Sequence, residues 1–261
     1  MIVNLQTMVE MIVNGHNLHV EQAGPEDGLA VVLLHQGLGS VRSWQEQIPV
    51  LADAGFHVVA YDRWGYGDSD PRPALDLPKF TTDILDLSEM LQMLGISRVA
   101  LVGHSDGGTI ALYYAIKNQG QVSCLVTIAA HIYVEAKMEP GILQLKQAFD
   151  VDERFRKGMQ LAHGEKFEVV FHNWFDGWHR IESLSWDMRP ILSQISCPAL
   201  VVQGTEDEHA TPQHARDIAA GIAQAELWLI EGAHHMLLKE EANLFNPRLL
   251  QFLKRCRAGN P

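Results

Sequence analysis

The stretch "VGHSDGGTIAL", residues 102–112, decides the fold. An apolar run ends abruptly in small residues, a serine sits between two glycines, and an amphipathic run follows. Gly103-His104-Ser105-Asp106-Gly107 fits G-x-S-x-G between a predicted strand and a predicted helix, the context this motif requires. So sharp a turn strains the serine backbone, and side chains at the flanking glycines would clash. The turn lifts the hydroxyl clear of the strand ends, where open parallel sheets bind ligands. It also sets the oxygen at a helix N terminus, where free amides favour developing negative charge. Alone, the same pattern also describes a glycine-rich turn with a solvent-facing serine, so the rest of the chain must decide.

Outward from that turn, short apolar runs alternate with amphipathic segments. "LAVVLLH" (29–35), "FHVVAYD" (56–62), "RVALVGH" (98–104), "SCLVTIAA" (123–130), "PALVVQG" (198–204) and "AELWLIEG" (225–232) read as strands. Apolar character without alternation marks strands covered on both faces. Residues 11–14 and 17–22 flank Asn14-Gly15 and read as an opening hairpin. Phe80, Ile84, Leu87, Leu91 and Leu94 recur at helical spacing until Gly95 stops them. Thr211-Pro212 and Asn246-Pro247 each read as an N-cap followed by proline in the first helical position. Strand and helix in steady alternation predict an α/β fold, a doubly wound and mostly parallel sheet with helices on both faces. From His131 to Pro190 the rhythm breaks into helical patterns, with Phe167, Phe171, Trp174, Phe175 and Trp178 near one face. The expected organisation is a core of residues 1–130 and 191–261 with a helical cap at 131–190.

A serine hydroxyl needs a base to take its proton, and the base needs an orienting carboxylate. "TEDEHATP" follows the strand at 198–204 and puts Asp207 just past its end; "EGAHHMLLKE" puts His234 and His235 after the last strand. The chain order Ser, Asp, His is the one expected on a doubly wound sheet. Glu206, Glu208 and His234 compete with Asp207 and His235 for those places.

"VVLLHQGLGSVRSW", "VVAYDRWGYGDS", "VALVGHSDGGTIAL", "PALVVQGTEDEHATP" and "IEGAHHMLLKE" together resemble the α/β-hydrolase fold, in its motif order and over nearly the whole chain. The resemblance implies Ser105 as nucleophile, Asp207 (in Gly204-x-x-Asp) as acid and His235 (in Gly-Ala-x-His) as base. It implies an oxyanion hole from the amides of Asp106 and Gly37. Here the chain departs from the usual His-Gly, with His35-Gln36-Gly37, so Gln36 either ties down the loop or adds a side-chain amide. The segment 62–69 resembles the family's Asp-x-x-Gly-x-Gly-x-Ser and implies a loop-shaping role. Asp106 either sits at a helix start for electrostatic reasons or holds a substrate cation, as Ser-Asp-Gly-Gly turns in members that cleave amino-acid esters imply. Gln36, Asp106, Trp174 and Trp178 are therefore candidate substrate-binding residues.

The implied activity is hydrolysis of a small or medium carboxylic ester through an acyl-enzyme. A thioesterase, lactonase or carbon–carbon bond hydrolase would use the same residues, and a ligand receptor on the hydrolase fold stands as the alternative of another class. Composition narrows the partners. A formal net charge of −12 argues against nucleic acid and anionic lipid. Apolar runs are too short to cross a bilayer, and no basic-then-apolar leader opens the chain. Cys124, Cys197 and Cys256 are scattered, without metal spacing, which favours a cytoplasmic setting. His172, Asp176 and His179 share a helical face, but the spacing is too loose for a metal, and no metal or cofactor is expected. The expected partner is a small-molecule ester or related acyl compound; self-association into a homo-oligomer stays open.

Overall fold

The computed structural model describes residues 7–179 and 185–259. Eight strands form one sheet: β1 (Thr7–Val13), β2 (His16–Ala23), β3 (Ala30–Leu34), β4 (His57–Tyr61), β5 (Val99–His104), β6 (Val122–Ile128), β7 (Ala199–Gly204) and β8 (Ala225–Ile230). Their order is β1-β2-β4-β3-β5-β6-β7-β8. The hairpin β1/β2 and the pair β2/β4 are antiparallel, and every other pair is parallel. This is the expected doubly wound sheet, and all the predicted strands form.

Period-two alternation sorts the strand side chains between two cores. Val32, Leu34, Leu101, Leu125 and Val201 face α2 (Thr81–Met93), α3 (Asp106–Lys117) and α7 (Gln213–Gly221). Val31, Leu33, Val102, Val126 and Val202 face α1 (Ile48–Asp53), α8 (Leu237–Glu240) and α9 (Ala242–Arg257). The central strands β3 to β7 are buried along their whole length; β8, at the edge, is only half-buried.

Between β6 and β7 lie α4 (Met138–Val151), α5 (Glu153–His163) and α6 (Phe167–His179). Among the described residues of 131–190 the strand-like content is one isolated bridge, Tyr133 to Asp187. The predicted aromatic face is real: Phe171, Trp174 and Trp178 of α6 are buried, and Phe149 of α4 stacks on Phe171 at 3.9 Å.

Two helix starts differ from expectation. α7 begins at Gln213, one residue past Pro212, and the Thr211 hydroxyl donates to Glu135 Oε2 (2.8 Å) instead of capping it. α9 begins at Ala242 with Pro247 inside it. Asn246 is not a cap: its side chain accepts from Gln47 Nε2 (2.8 Å) and donates to the Glu46 carbonyl (3.1 Å), docking the helix against the segment before α1.

Candidate functional site

Ser105 stands between β5 and α3 with φ 52° and ψ −118°, a conformation rare for a residue with a side chain. The glycines explain how the turn is tolerated. A Cβ on Gly103 would lie 2.2 Å from the Gly107 carbonyl oxygen, and one on Gly107 would lie 2.0 Å from that of Leu34. The Ser105 amide donates to the Ile128 carbonyl at 2.8 Å, which pins the turn to β6.

Asp207 follows β7, and all its acceptor capacity is used. Oδ1 accepts from the amides of His209 (2.8 Å) and Ala210 (3.2 Å); Oδ2 accepts from Gln203 Nε2 (2.8 Å) and pairs with His235 Nδ1 (2.9 Å). Burial opposes its charge, but the charge of His235 and these hydrogen bonds prevail and hold the carboxyl well below the usual range. For His235 burial favours the neutral ring, and Asp207, with Glu208 and Asp106 behind it, outweighs burial and raises the pKa.

The competitors separate from these two. His234 is exposed and its Nδ1 donates to the Glu206 carbonyl at 3.2 Å. Glu208 binds the His235 backbone amide at 3.0 Å, not its ring, and Glu206 is exposed. His104, the middle residue before the serine, donates from Nε2 to the His235 carbonyl at 2.9 Å and so ties the turn to the loop that carries His235. Burial and the nearby His235 push its pKa down to about 3.

Ser105, Asp106, Gln36, Gly37 and His235 share one cavity of about 340 Å³. Trp174, Trp178, Met138, Ile142, Phe155 and Met159 from α4 to α6 form much of its remaining wall. Every residue singled out from the sequence for binding therefore reaches this cavity, and Asp207 supports it from behind His235. Ser105 and His235 both line it, without a hydrogen bond joining their side chains. Such contacts often close only when substrate is bound.

Asp106 is more than a helix-start carboxylate. It is buried at the first turn of α3, and its Oδ2 is 3.6 Å from Arg63 Nη2. Arg63 also pairs with Asp83 (3.1 Å), which pairs with Arg72 (2.8 Å). Burial pushes the Asp106 carboxyl up to about 6 against the pull of Arg63. Oδ2 has no hydrogen-bond partner, and a Cβ on Gly37 would lie 2.8 Å from it. From the sequence 62–69 reads only as a loop shaper; the one signal for Arg63 is its place just past a strand end. For His131 and His209, also on the cavity wall and also just past strand ends, the signal is the same.

His172, Asp176 and His179 are exposed on α6 and do not gather as ligands. Among the described residues one other group draws together: a ligand atom from each of His19, Asp62 and Asp68 within 4.8 Å of one another. Both ring nitrogens of His19 are engaged, by Glu10 at 2.9 Å and Glu21 at 3.3 Å, and Asp62 accepts the amides of Val41 and Asp68 at 2.7 Å. Those carboxylates raise the His19 pKa despite its burial. The group is thus an ion-paired histidine, poorly prepared to give a lone pair to a metal.

The α/β hydrolase fold family model matches residues 30–167, more than half the chain. The chain belongs to the α/β-hydrolase family. Human serine hydrolase BPHL is 32% identical over 254 residues, covering 95% of this chain and 87% of the relative. The 2-hydroxy-6-oxo-6-phenylhexa-2,4-dienoate hydrolase of Comamonas testosteroni is 26% identical, covering 91% of each. The enol-lactonase of Burkholderia xenovorans LB400 superposes with a TM-score of 0.74 at 24% identity, over 94% of this chain and all of that one, which speaks to the fold. With such relatives the chain is an α/β hydrolase of the serine type. No described helix is long and apolar enough to cross a membrane.

Proposed function

We propose that this hydrolase cleaves a small or medium carboxylic ester through a covalent acyl-enzyme. Ser105 Oγ attacks the ester carbonyl while His235 Nε2 takes its proton. Asp207 holds the imidazole with its proton on Nδ1 and stabilises the cation that forms. The amides of Asp106 and Gly37 receive the oxyanion; the first lies at the start of α3, where amides have no intrahelical acceptor. His235 then protonates the leaving alcohol, and a water activated by the same ring releases the acid. Residues 131–190 act as a cap over the core of 1–130 and 191–261 and shield the acyl group from bulk water.

The reading rests chiefly on one observation: His235 Nδ1 lies 2.9 Å from a fully satisfied Asp207 while the ring faces the cavity that the strained Ser105 also lines. The test is covalent labelling by an alkyl fluorophosphonate, with turnover of a p-nitrophenyl ester panel. Stoichiometric label on Ser105 and rapid turnover are expected. Label elsewhere, or tight ester binding with negligible turnover, would refute it, the latter in favour of a receptor.

A second reading concerns the acyl half of the substrate. Asp106 lines the cavity, and its Oδ2 has Arg63 at 3.6 Å but no hydrogen bond, which favours a cationic substituent such as an α-ammonium group as a second partner. Asp106→Asn should then cost the α-amino ester about tenfold more than its neutral analogue. Equal losses would eliminate the idea.

A further inference from the structure

His131 has no part in the chemistry above, yet it is built into the cavity with unusual care. It stands three residues past the end of β6, and the peptide that follows it is held at both its carbonyl and its amide. Thr109 Oγ1 in α3 donates to its carbonyl at 2.7 Å, and the next amide, of Ile132, donates to His214 Nδ1 at 3.1 Å. The ring is wedged among Trp178 (5.8 Å between centroids), His214 (5.5 Å) and His235 (6.0 Å). It is 6% exposed, it lines the cavity, and its Nδ1 has no hydrogen-bond partner. A buried polar atom without a partner calls for an account, and packing this firm is what positions a binding group.

The chemistry of the missing partner follows from the ring's state. Burial, with His214 and His235 nearby, holds the His131 pKa well below the ordinary value. A neutral imidazole donates from one nitrogen and accepts at the other, and it offers a charged group no compensation. Its partner is thus an uncharged hydrogen-bonding group, of which a hydroxyl fits best. The side of the cavity follows from topology. Gly37 and Asp106 lie toward β3, whereas His131 lies at the end of β6 beside His235. His235 returns its proton to the leaving oxygen, so the alcohol half of the ester is the half beside His131.

We propose that His131 is a hydrogen-bonding subsite for the leaving alcohol, selecting esters whose alcohol carries a second hydroxyl a few carbons from the scissile oxygen. This rests on the ester reading and deepens it. A site built to bond a substrate hydroxyl discriminates strongly against the analogue that lacks it.

The experiment compares kcat/KM for 3-hydroxypropyl butanoate and butyl butanoate, which differ by hydroxyl for methyl, in wild type, His131→Phe and His131→Asn. Wild type should prefer the hydroxylated ester by about tenfold or more. His131→Phe should bring the ratio to about one or below, and His131→Asn should recover part of it. A ratio near one in wild type overturns the proposal without any variant, and so does an undiminished ratio in His131→Phe. If His131→Phe does not fold, judged by its melting transition, His131→Leu, which also lacks a hydrogen-bonding group, decides: a ratio equal to wild type together with a raised KM for both esters marks a purely structural role and overturns the proposal. The ester reading fails separately, when wild type cleaves neither ester and Ser105 takes no fluorophosphonate.

Discussion

Replacing Gly103 by alanine tests the turn on which the site is built. The added Cβ would lie 2.2 Å from the Gly107 carbonyl oxygen, 2.5 Å from the Gly107 carbonyl carbon and 2.7 Å from the Gly108 amide nitrogen. All three are backbone atoms in the first turn of α3, so no side-chain rotation relieves them. Restoring ordinary contact requires α3 and β5 to part by about 1 Å at the turn, and a misplacement of that size can cost about a hundredfold in rate. Overpacking should cost about 1–3 kcal/mol besides. Gly158→Ala is the control: its Cβ would meet nothing within 4 Å, on an exposed face of α5. Alanine there should stabilise by about 0.5–1 kcal/mol without touching turnover. Urea denaturation and kcat/KM on a p-nitrophenyl ester provide both readouts. If Gly103→Ala keeps its rate within about threefold of wild type, the close approach of strand and helix does not set the position of Ser105 and the reasoning fails.

Four further outcomes follow from the electrostatics. Asp207→Asn should lower kcat by on the order of 10⁴ with little change in KM, because the ring loses its orienting partner; a loss under tenfold, measured in steady state, would remove Asp207 from the chemistry. The rate should rise with pH through the raised pKa of His235, with a midpoint above about 6.5, and a pH–rate profile with a lower midpoint would contradict this. In the same pair, the stability from Asp207 is complete above about pH 4 and fades as pH falls, since its folded pKa is depressed; that from His235 is complete below about pH 6.5 and fades as pH rises through its folded value. Urea midpoints across that range, compared with Asp207→Asn, would reveal it as a difference that disappears in the variant. Arg63→Met removes the cation beside Asp106 and leaves Asp83 with Arg72 alone, and should cost about 3–5 kcal/mol, more at pH 8 than at pH 5, where Asp106 sheds its charge by taking a proton. Urea denaturation showing under about 1 kcal/mol at pH 8 would mean that the pair is not what keeps those carboxylates buried.

Much of this was legible because it depends on local chemistry. Non-alternating apolar runs mark strands covered on both sides, and the glycines around Ser105 mark a turn that no side chain fits. Motif register singles out Asp207 and His235 over Glu206, Glu208 and His234, and these two are hydrogen-bonded to each other at 2.9 Å. What stayed hidden depends on contacts between distant segments. Nothing near Arg63 says that its guanidinium lies 3.6 Å from Asp106. Nothing near Thr211 says that Glu135 takes its hydroxyl and leaves α7 without that cap. Pro247 reads as a helix start because a proline in the first turn loses no hydrogen bond, yet α9 begins earlier, where Phe245 and its neighbours pack into the core. Tertiary burial there outweighs the local signal.

The histidines around the cavity show how one ring is distinguished from its neighbours. His104, His131 and His235 are buried and His209 is partly buried, with the ring centroids of the other three 4.7–6.0 Å from that of His235. Burial alone would leave all four as weak bases, and three follow it: His104 falls to about 3, His209 to about 4 and His131 well below the ordinary value. Only His235 of the four moves up, and of the four only it is hydrogen-bonded from the ring to a buried carboxylate. A proton arriving in this cluster is thus directed to one ring, and its residence there further suppresses protonation of the other three by charge repulsion. The surrounding histidines can then serve as neutral donors and acceptors without competing for the proton. If the carboxylate is what separates them, His235 in Asp207→Asn should titrate below 6.5 with its neighbours, and a ring proton resonance of His235 that still titrates above that value would show that something other than Asp207 selects the base.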